Sequence, residues 1–488
     1  MRPKLNLLDK NLIENIISEA YELLINLGIE ICNSQAKNIL YEHKADVDKS
    51  NLIVKFTRDL IDNALSNASS EFKLFDVFGN QTHHFKDYNV YFTPGSAALL
   101  FLDPEINSVR SPDTNDYIKY SKIIDNLKNI ASQSTAFIPS DVTENISDSY
   151  RLFLSLLYCS KPIVTGCFKK ESFEIMKNFQ LVIRGNENEL KHKPLTIFSV
   201  CPTSPLKWGD ITTQNLMDCA KYSIPVEFIS MPLSGFLAPV TIVGTLIQHT
   251  AETLCGIVIS QLVNPGTPFL YGGSPAVFDV RNETTPMGAV ETMMIDCAYN
   301  EIAKYLGFPS QAYISLSDAK LFDAQAGMES SMGATLAALS GINNISGPGM
   351  MDFENCFSLE KLVFDNEICG MALRLIKGIE PKDDFPSIPI FQELLNDSHL
   401  LISSHTLKHI KTEIHNPSYV INRSNRERWV ENNSPDVNSL AKNEIERILE
   451  KKDSYILEKE KKKELFKLMT AESSKFGMKN LPVNYEDY

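Results

Sequence analysis

Two pairs of side chains have spacings that can support chemistry. Lys320 follows Asp318 by two residues, just past a short apolar run. A lysine in a dry cleft binds its proton less tightly and can form a Schiff base with a carbonyl. An ion pair with Asp318 or Asp323 uses the same residues and is the favoured reading. His249 and Glu252 lie at i,i+3 in a helical stretch, a spacing that can offer two ligands to one metal. No second pair accompanies them, so a hydrogen bond in the core or between helices is favoured. A third arrangement is aromatic. Trp208, Tyr271, Phe278, Tyr313, Phe353 and Phe357 fall near the ends of apolar runs, with Asp352 and Glu354 close by. Aromatic faces beside a carboxylate suit a quaternary ammonium, although the same rings also make an ordinary core.

Chemistry of this kind needs a scaffold that gathers loop ends. From about residue 128, short apolar runs alternate with longer amphipathic ones. Strands are expected at 129–137, 162–166, 195–200, 226–230, 268–272, 311–315, 343–346 and 399–403. Helices are expected at 150–158, 171–183, 213–222, 240–262, 289–306, 327–339 and 359–375. Eight strands alternating with helices over roughly 280 residues predict a (β/α)₈ TIM barrel of the α/β class, spanning 121–415. An open doubly wound sheet has the same local pattern, but no GxGxxG follows the first strand. Residues 1–120 read as an N-terminal α+β extension, with a helix over 11–27 stopped by Gly28 and short strands at 72–78 and 90–92. Residues 416–488 read as a C-terminal helical tail, charge-dense at 442–451 and 458–469 and therefore solvated.

A barrel of this kind builds its site just after the strands. Those positions hold Pro139 and Asp141, the run Cys201 to Leu206, Met231 to Gly235, Gly272 to Pro275, Leu316 to Lys320, Gly347 to Asp352, and His405. Most are rich in Gly, Pro and Ser. Small residues let backbone approach a flat or bulky ligand, and they also simply make turns.

Composition narrows the function class. Among 488 residues, 47 are basic and 61 acidic, a net charge of −14 that argues against nucleic-acid binding. With 43% hydrophobic and 22% charged residues, the chain can bury a large core. Nine cysteines with no CxxC pair point to a reducing compartment and against structural zinc. The first residues lack the apolar core of a signal peptide. The longest apolar stretch, 240–263, contains Gln248, His249 and Glu252 and reads as a buried helix rather than a membrane span. A cytoplasmic homo-oligomer is expected.

Several of these segments carry a resemblance. Cys201-Pro202-Thr203-Ser204-Pro205-Leu206, residues 240–265 (VTIVGTLIQHTAETLCGIVISQLVNP), 271–279 (YGGSPAVFD), 317–327 (SDAKLFDAQAG) and 359–368 (LEKLVFDNEI) resemble the trimethylamine:corrinoid methyltransferase family. Gly95-Ser96-Ala97 in the extension does too. The resemblance implies a TIM barrel that passes a methyl group from a methylated amine to a corrinoid held by a separate corrinoid-binding protein, with no metal bound by this chain. The trimethylamine enzymes place pyrrolysine just before their SDAK-like segment, whereas Leu316 stands here. This chain therefore resembles the branch without pyrrolysine, some members of which demethylate quaternary amines such as glycine betaine. A tertiary amine must be activated before it can leave. A quaternary one already leaves neutral, so the protein need only exclude water and orient the C–N bond.

The resemblance and the loop positions together give the candidate site. Leu316, Asp318 and Lys320 form the catalytic segment. Asp352, matched to an acidic position of the pyrrolysine enzymes, should hold the ammonium together with Tyr271, Tyr313, Phe353, Phe357, Gly349 and Met350. Ser204, Pro205, Ser234, Gly235, Gly272, Gly273 and Ser274 should face the corrinoid. Rival readings are a Schiff-base lyase or aldolase using Lys320, a non-catalytic betaine-binding barrel, and zinc-dependent methyl transfer, which isolated cysteines disfavour.

Overall fold

The structure, a computed structural model, describes residues 2–48, 51–106, 108–382, 385–451 and 455–483. Met1 and parts of the expected extension and tail lie outside them. Eight short strands run parallel: β1 (Tyr91–Thr93), β2 (Gln133–Ser134), β3 (Ile163–Thr165), β4 (Thr196–Val200), β5 (Val226–Phe228), β6 (Phe269–Gly273), β7 (Ser310–Tyr313) and β8 (Asn344–Ser346). Their order is β1-β8-β7-β6-β5-β4-β3-β2. The Ala131 amide donates to the Phe92 carbonyl at 2.8 Å, and Ala98 bridges to Phe137, bringing the first and last strands of that order together.

A helix follows each strand: α1 (Thr114–Asn126), α2 (Ser147–Tyr158), α3 (Ser172–Arg184), α4 (Asp210–Lys221), α5 (Ile242–Val263), α6 (Val290–Tyr305), α7 (Ala324–Ser340) and α8 (Leu359–Ile376). Side-chain caps start several of them. Asp113, Thr241, Asp323 and Ser358 each accept an amide of the first helical turn. Strand residues alternate between facing the lumen and facing these helices. The Asn344 amide reaches Glu227 Oε2 at 3.2 Å, between strands that are not neighbours, so both side chains point into the lumen.

The eighth strand is not where the sequence reading put it. Residues 399–403 form a turn leading into the helix Ser404–Glu413, and the missing strand is Tyr91–Thr93. The barrel thus begins inside the segment expected to be an extension. The strand expected over 129–137 is regular only at Gln133–Ser134, where the Ser134 carbonyl accepts from the Tyr120 hydroxyl of α1 at 3.0 Å.

The N-terminal segment has two tasks. A hairpin, Phe72–Phe75 with Gln81–Phe85, closes the amino-terminal end of the barrel, where Phe72, Leu74 and Phe85 pack on Val164, Ile197 and Leu270. Helices Lys10–Glu22, Ser34–Glu42 and Arg58–Asn67 pack over α5. That second layer explains why α5 is apolar on nearly every side. It is the one described helix long and apolar enough to cross a membrane, and 78% of its apolar window is buried within the fold. Gly256 of α5 lies against the barrel so closely that a Cβ there would sit 2.5 Å from the Trp208 ring and 2.6 Å from Phe228.

The tail is docked rather than solvated. Helix Val437–Leu449 packs on α8 and α1 through Ala441, Ile445 and Ile448. Helix Lys459–Lys475 packs on α3 and α2 through Leu465, Phe466 and Met469. Its charge density hides an apolar stripe too narrow to dominate the composition.

Candidate functional site

The lumen carries a polar layer below its carboxyl-terminal mouth. Glu227 of β5 is fully buried and accepts from Ser199 Oγ at 2.8 Å as well as from Asn344. Burial pushes its carboxyl up to about 7, only partly offset by those two hydrogen bonds. Thr93 Oγ1 donates to Asn344 Oδ1 at 2.8 Å, tying β1 into the layer. Gln311 of β7 lies against Gly272, where a Cβ would come within 2.4 Å of its Oε1. Its carboxamide is buried, and neither polar atom has a hydrogen-bond partner among the described residues. Above it, the Tyr313 hydroxyl lies 2.9 Å from Ser96 Oγ of the loop after β1.

The mouth is built by the loops after β7 and β8. They are joined by two backbone hydrogen bonds, Ser317 N to Met350 O (3.2 Å) and Asp352 N to Ala319 O (3.1 Å). Asp318 accepts the Met287 and Gly288 amides at 2.9 and 2.8 Å, fixing the segment that leads into α6. Burial raises its carboxyl to about 6, with Glu329 adding to the rise. The β8 loop then makes an unusual turn. Asp352, Phe353 and Glu354 have φ of 49°, 56° and 66°, three successive non-glycine residues in the left-handed region. Such backbone costs of order 1–3 kcal/mol per residue and persists only where surrounding contacts impose it. The turn leaves Glu354 Oε1 buried without a partner among the described residues. Burial, and then the nearby Asp318, lift the Glu354 carboxyl to about 8.

A fourth acid, Asp296 of α6, is buried with neither oxygen hydrogen-bonded among the described residues, and burial holds it well above the usual carboxylate range. Beside it Tyr299 stacks on His249 with ring centroids 4.3 Å apart. Three acids of the mouth and upper lumen, with Asp296 on α6 near enough to Glu354 to interact with it, thus have raised pKa values. A nearby cation, Lys320, turns outward with its side chain 59% exposed. It pairs with Asp352 at 3.3 Å, donates to the Asp318 carbonyl at 2.7 Å and lies 3.7 Å over the Phe353 ring. Among the described residues, no group of three or more His, Cys, Asp or Glu is arranged to hold a metal. Buried carboxyls without counter-ions stay protonated or await a cation.

The whole-chain comparison decides the family. Residues 1–477 match the trimethylamine methyltransferase (MTTB) family. The chain belongs to that family, and it is a methyltransferase. It is 31% identical over 459 residues to the trimethylamine methyltransferase MttB of Methanosarcina thermophila, covering 91% of this chain and 93% of that one. It is 28% identical over 429 residues to the glycine betaine methyltransferase of Desulfitobacterium hafniense strain Y51, covering 88% and 89%. The crystal structure of the Methanosarcina barkeri monomethylamine methyltransferase (MtmB) shares the fold, with a TM-score of 0.54 at 13% identity over 91% of this chain and 89% of that one.

In this methyltransferase the expected site residues separate into groups. Leu316, buried, lies in the β7 loop directly before Ser317 and Asp318. Tyr313, Asp318 and Met350 gather with it, Met350 packing against Gly95. Gly349, at φ 88°, gives its amide to Asp365 Oδ2 at 2.8 Å, and Asp365 pairs with buried Lys361 at 2.5 Å. Phe357 fills the space beside Gly349 and packs on Phe137 and Tyr120, away from the lumen. Tyr271 also faces away, its hydroxyl on Thr250 Oγ1 at 3.1 Å. Asp352 and Phe353 are both engaged by Lys320.

The loops expected to face a corrinoid are fastened from behind by Glu252 of the HxxE pair. It accepts from Ser204 Oγ, Ser230 Oγ, the Leu206 amide and Gln248, and Pro205 follows Ser204 in this braced turn. His249 Nε2 bonds the Gly272 carbonyl at 3.1 Å and its ring abuts Gly273. Ser274 bonds the Ser230 carbonyl, and Ser234 with Gly235 closes a turn onto Pro239 and Val240. The pair thus braces these loops through hydrogen bonds, the role its lone i,i+3 spacing favoured. The sequence reading missed Glu227, Asp296 and Gln311. Glu227 and Asp296 are each a single charged residue in an apolar run, and Gln311 follows Ser310 in one; that interruption was the available signal.

Proposed function

We propose that this methyltransferase takes its methyl group from a quaternary ammonium of the betaine class and delivers it to Co(I) of a corrinoid on a separate carrier protein. The observation that carries the reading is a group of acids at and behind the mouth that lack cationic partners among the described residues: Glu227 and Asp296 are buried, and half-buried Glu354 turns its Oε1 inward unpartnered. A permanently charged ligand supplies the missing charge and draws these carboxyls toward ionisation. Leu316 supports the same reading, since it offers apolar contact and no means of activating a neutral amine. The glycine betaine methyltransferase among the relatives makes a quaternary substrate a known solution in this family.

The carrier's corrinoid supplies the low-valent cobalt that accepts the methyl group. The mouth fits such a partner, because Leu99, Phe236, Val240, Val280, Leu321 and Met328 stand exposed on its loops and on the first turns of α7. A large apolar rim around a site marks a docking surface. The chain's own residues then exclude water, hold the N–CH₃ bond along the lumen axis and balance the charge of the ammonium. That charge disperses as the methyl group departs, so acids with raised pKa values suit the step better than one tight ion pair. The Ser96 and Tyr313 hydroxyls offer donors for a substrate carboxylate.

The test is methylation of the reduced carrier protein, read from its visible spectrum, with a panel of amines. Transfer from a betaine, carnitine or choline is expected. Transfer from trimethylamine alone refutes the quaternary reading, and no transfer from any amine favours a binding protein.

A further inference from the structure

After α8 the chain leaves the barrel and rejoins it near Ser418. Barrel helices run opposite to the strands, so α8 ends at the amino-terminal end, away from the mouth. Two contacts mark the feet of this excursion. The Arg374 guanidinium donates to the Glu413 carbonyl at 3.0 and 3.1 Å, and the Ser418 amide donates to Glu367 Oε2 at 2.8 Å. Between them stand two helices, Ile388–Asp397 and Ser404–Glu413, and no residue of either is buried.

The first helix and the turn that follows it do not belong in water. Ile388, Phe391 and Leu395 form a stripe at i, i+3 and i+7 on the first helix. Phe391 is 58% exposed and Leu395 81%, while Leu401 and Ile402 of the connecting turn are 73% and 78% exposed. Nine apolar side chains of residues 379–414 remain more than half exposed, and at about 150 Å² for a fully exposed side chain their exposed fractions amount to roughly 1,000 Å². The largest apolar patch on a typical monomer is about 300–600 Å². Each side of a standard protein interface contributes about 800 Å². A helix of ten residues is also marginal by itself and takes its stability from packing.

We propose that this arm is the seat of a second copy of the chain, the two arms packing on one another about a two-fold axis. A partner exchanging methyl groups must reach the mouth, and the arm stands at the opposite end. A helix as short and apolar as Ile388–Asp397, with the apolar turn after it, also needs lasting cover, which a second copy supplies and a transient visitor does not. A two-fold contact uses the same patch on both chains and closes on itself, leaving no apolar face for further growth.

The experiment is sedimentation velocity of the full-length protein from nanomolar to micromolar concentration, beside the double variant Leu395→Asp, Ile402→Asp. The wild type is expected at twice the chain mass or a multiple of it. The variant should fall to the monomer mass with association weakened at least ~100-fold, and with unchanged far-UV circular dichroism and methyl transfer. A monomeric wild type, or a variant keeping the wild-type mass, overturns the proposal. If the variant does not fold, hydrogen exchange on the wild type decides. Amides of 388–397 and 404–413 should be protected in the assembly and lose protection on dilution. Exchange there at unstructured-peptide rates while the protein remains assembled overturns it.

Discussion

The ammonium of Lys320 lies 3.3 Å from the Asp352 carboxylate and 3.7 Å above the Phe353 ring. This pairing on the outer lip of the mouth engages the two residues that the sequence best suited to an ammonium. It also accompanies the left-handed turn at Asp352, Phe353 and Glu354, which leaves Glu354 Oε1 buried without a partner among the described residues. On the proposed function, the ligand's counter-charge would come from a position two residues further along the loop than expected.

Exchanging the two acids in turn tests that assignment. Glu354→Gln should weaken binding of a quaternary ammonium by about 10- to 100-fold, because a charge facing a low-dielectric chamber is lost. Asp352→Asn removes one partner of an exposed ion pair and should change binding by about threefold or less. Isothermal titration of both variants measures this, and the reverse order of effects would return the ammonium to Asp352.

The pH dependence of binding has a definite sign. The Glu354 carboxyl, lifted from 4.5 to about 8, is neutral below that pH in the unliganded protein. Cation affinity should therefore fall as pH drops from about 8 to 6, approaching tenfold per pH unit for one linked proton. In the unliganded protein the same shift stabilises the fold below the ordinary glutamate value, and that stability is lost as pH rises through about 8. Glu354→Gln should flatten both profiles. Tighter binding at low pH would contradict the assignment.

Lys320 separates methyl transfer from carbonyl chemistry. Its exposed, ion-paired ammonium is not placed for a Schiff base. Lys320→Met should leave kcat within about tenfold of wild type, whereas loss of a covalent nucleophile costs several orders of magnitude. Borohydride with carbonyl compounds should trap no adduct, and an adduct at Lys320, seen by mass spectrometry, would revive the lyase reading.

Two buried contacts carry stability rather than chemistry. Lys361→Met leaves Asp365 buried without its cation and should cost about 3–5 kcal/mol, loosening the β8 loop through the Gly349 amide. Gly256→Ala puts a methyl group against Trp208 and Phe228 and should cost about 1–3 kcal/mol. Urea unfolding of both variants measures this, and wild-type midpoints would show that the packing yields.

By itself the sequence determined the barrel class, seven of its strands, the order of its loops and the family. Strand and helix periods are local, and the loop motifs stand where those periods break. It also placed Leu316 and Asp318 on one loop, since three residues cannot stray far apart. The tertiary structure decided what depends on neighbours distant in the chain. Tyr91–Thr93 is a barrel strand because Asn344 to Ser346 pair with it, while the equally apolar 399–403 finds no sheet to join. Lys320 turns to Asp352 rather than Asp318 because the β8 loop brings that carboxylate alongside. Glu227, Asp296 and Gln311 are ordinary letters until the barrel closes, since depth of burial and absence of a partner are properties of the surroundings and not of the residue.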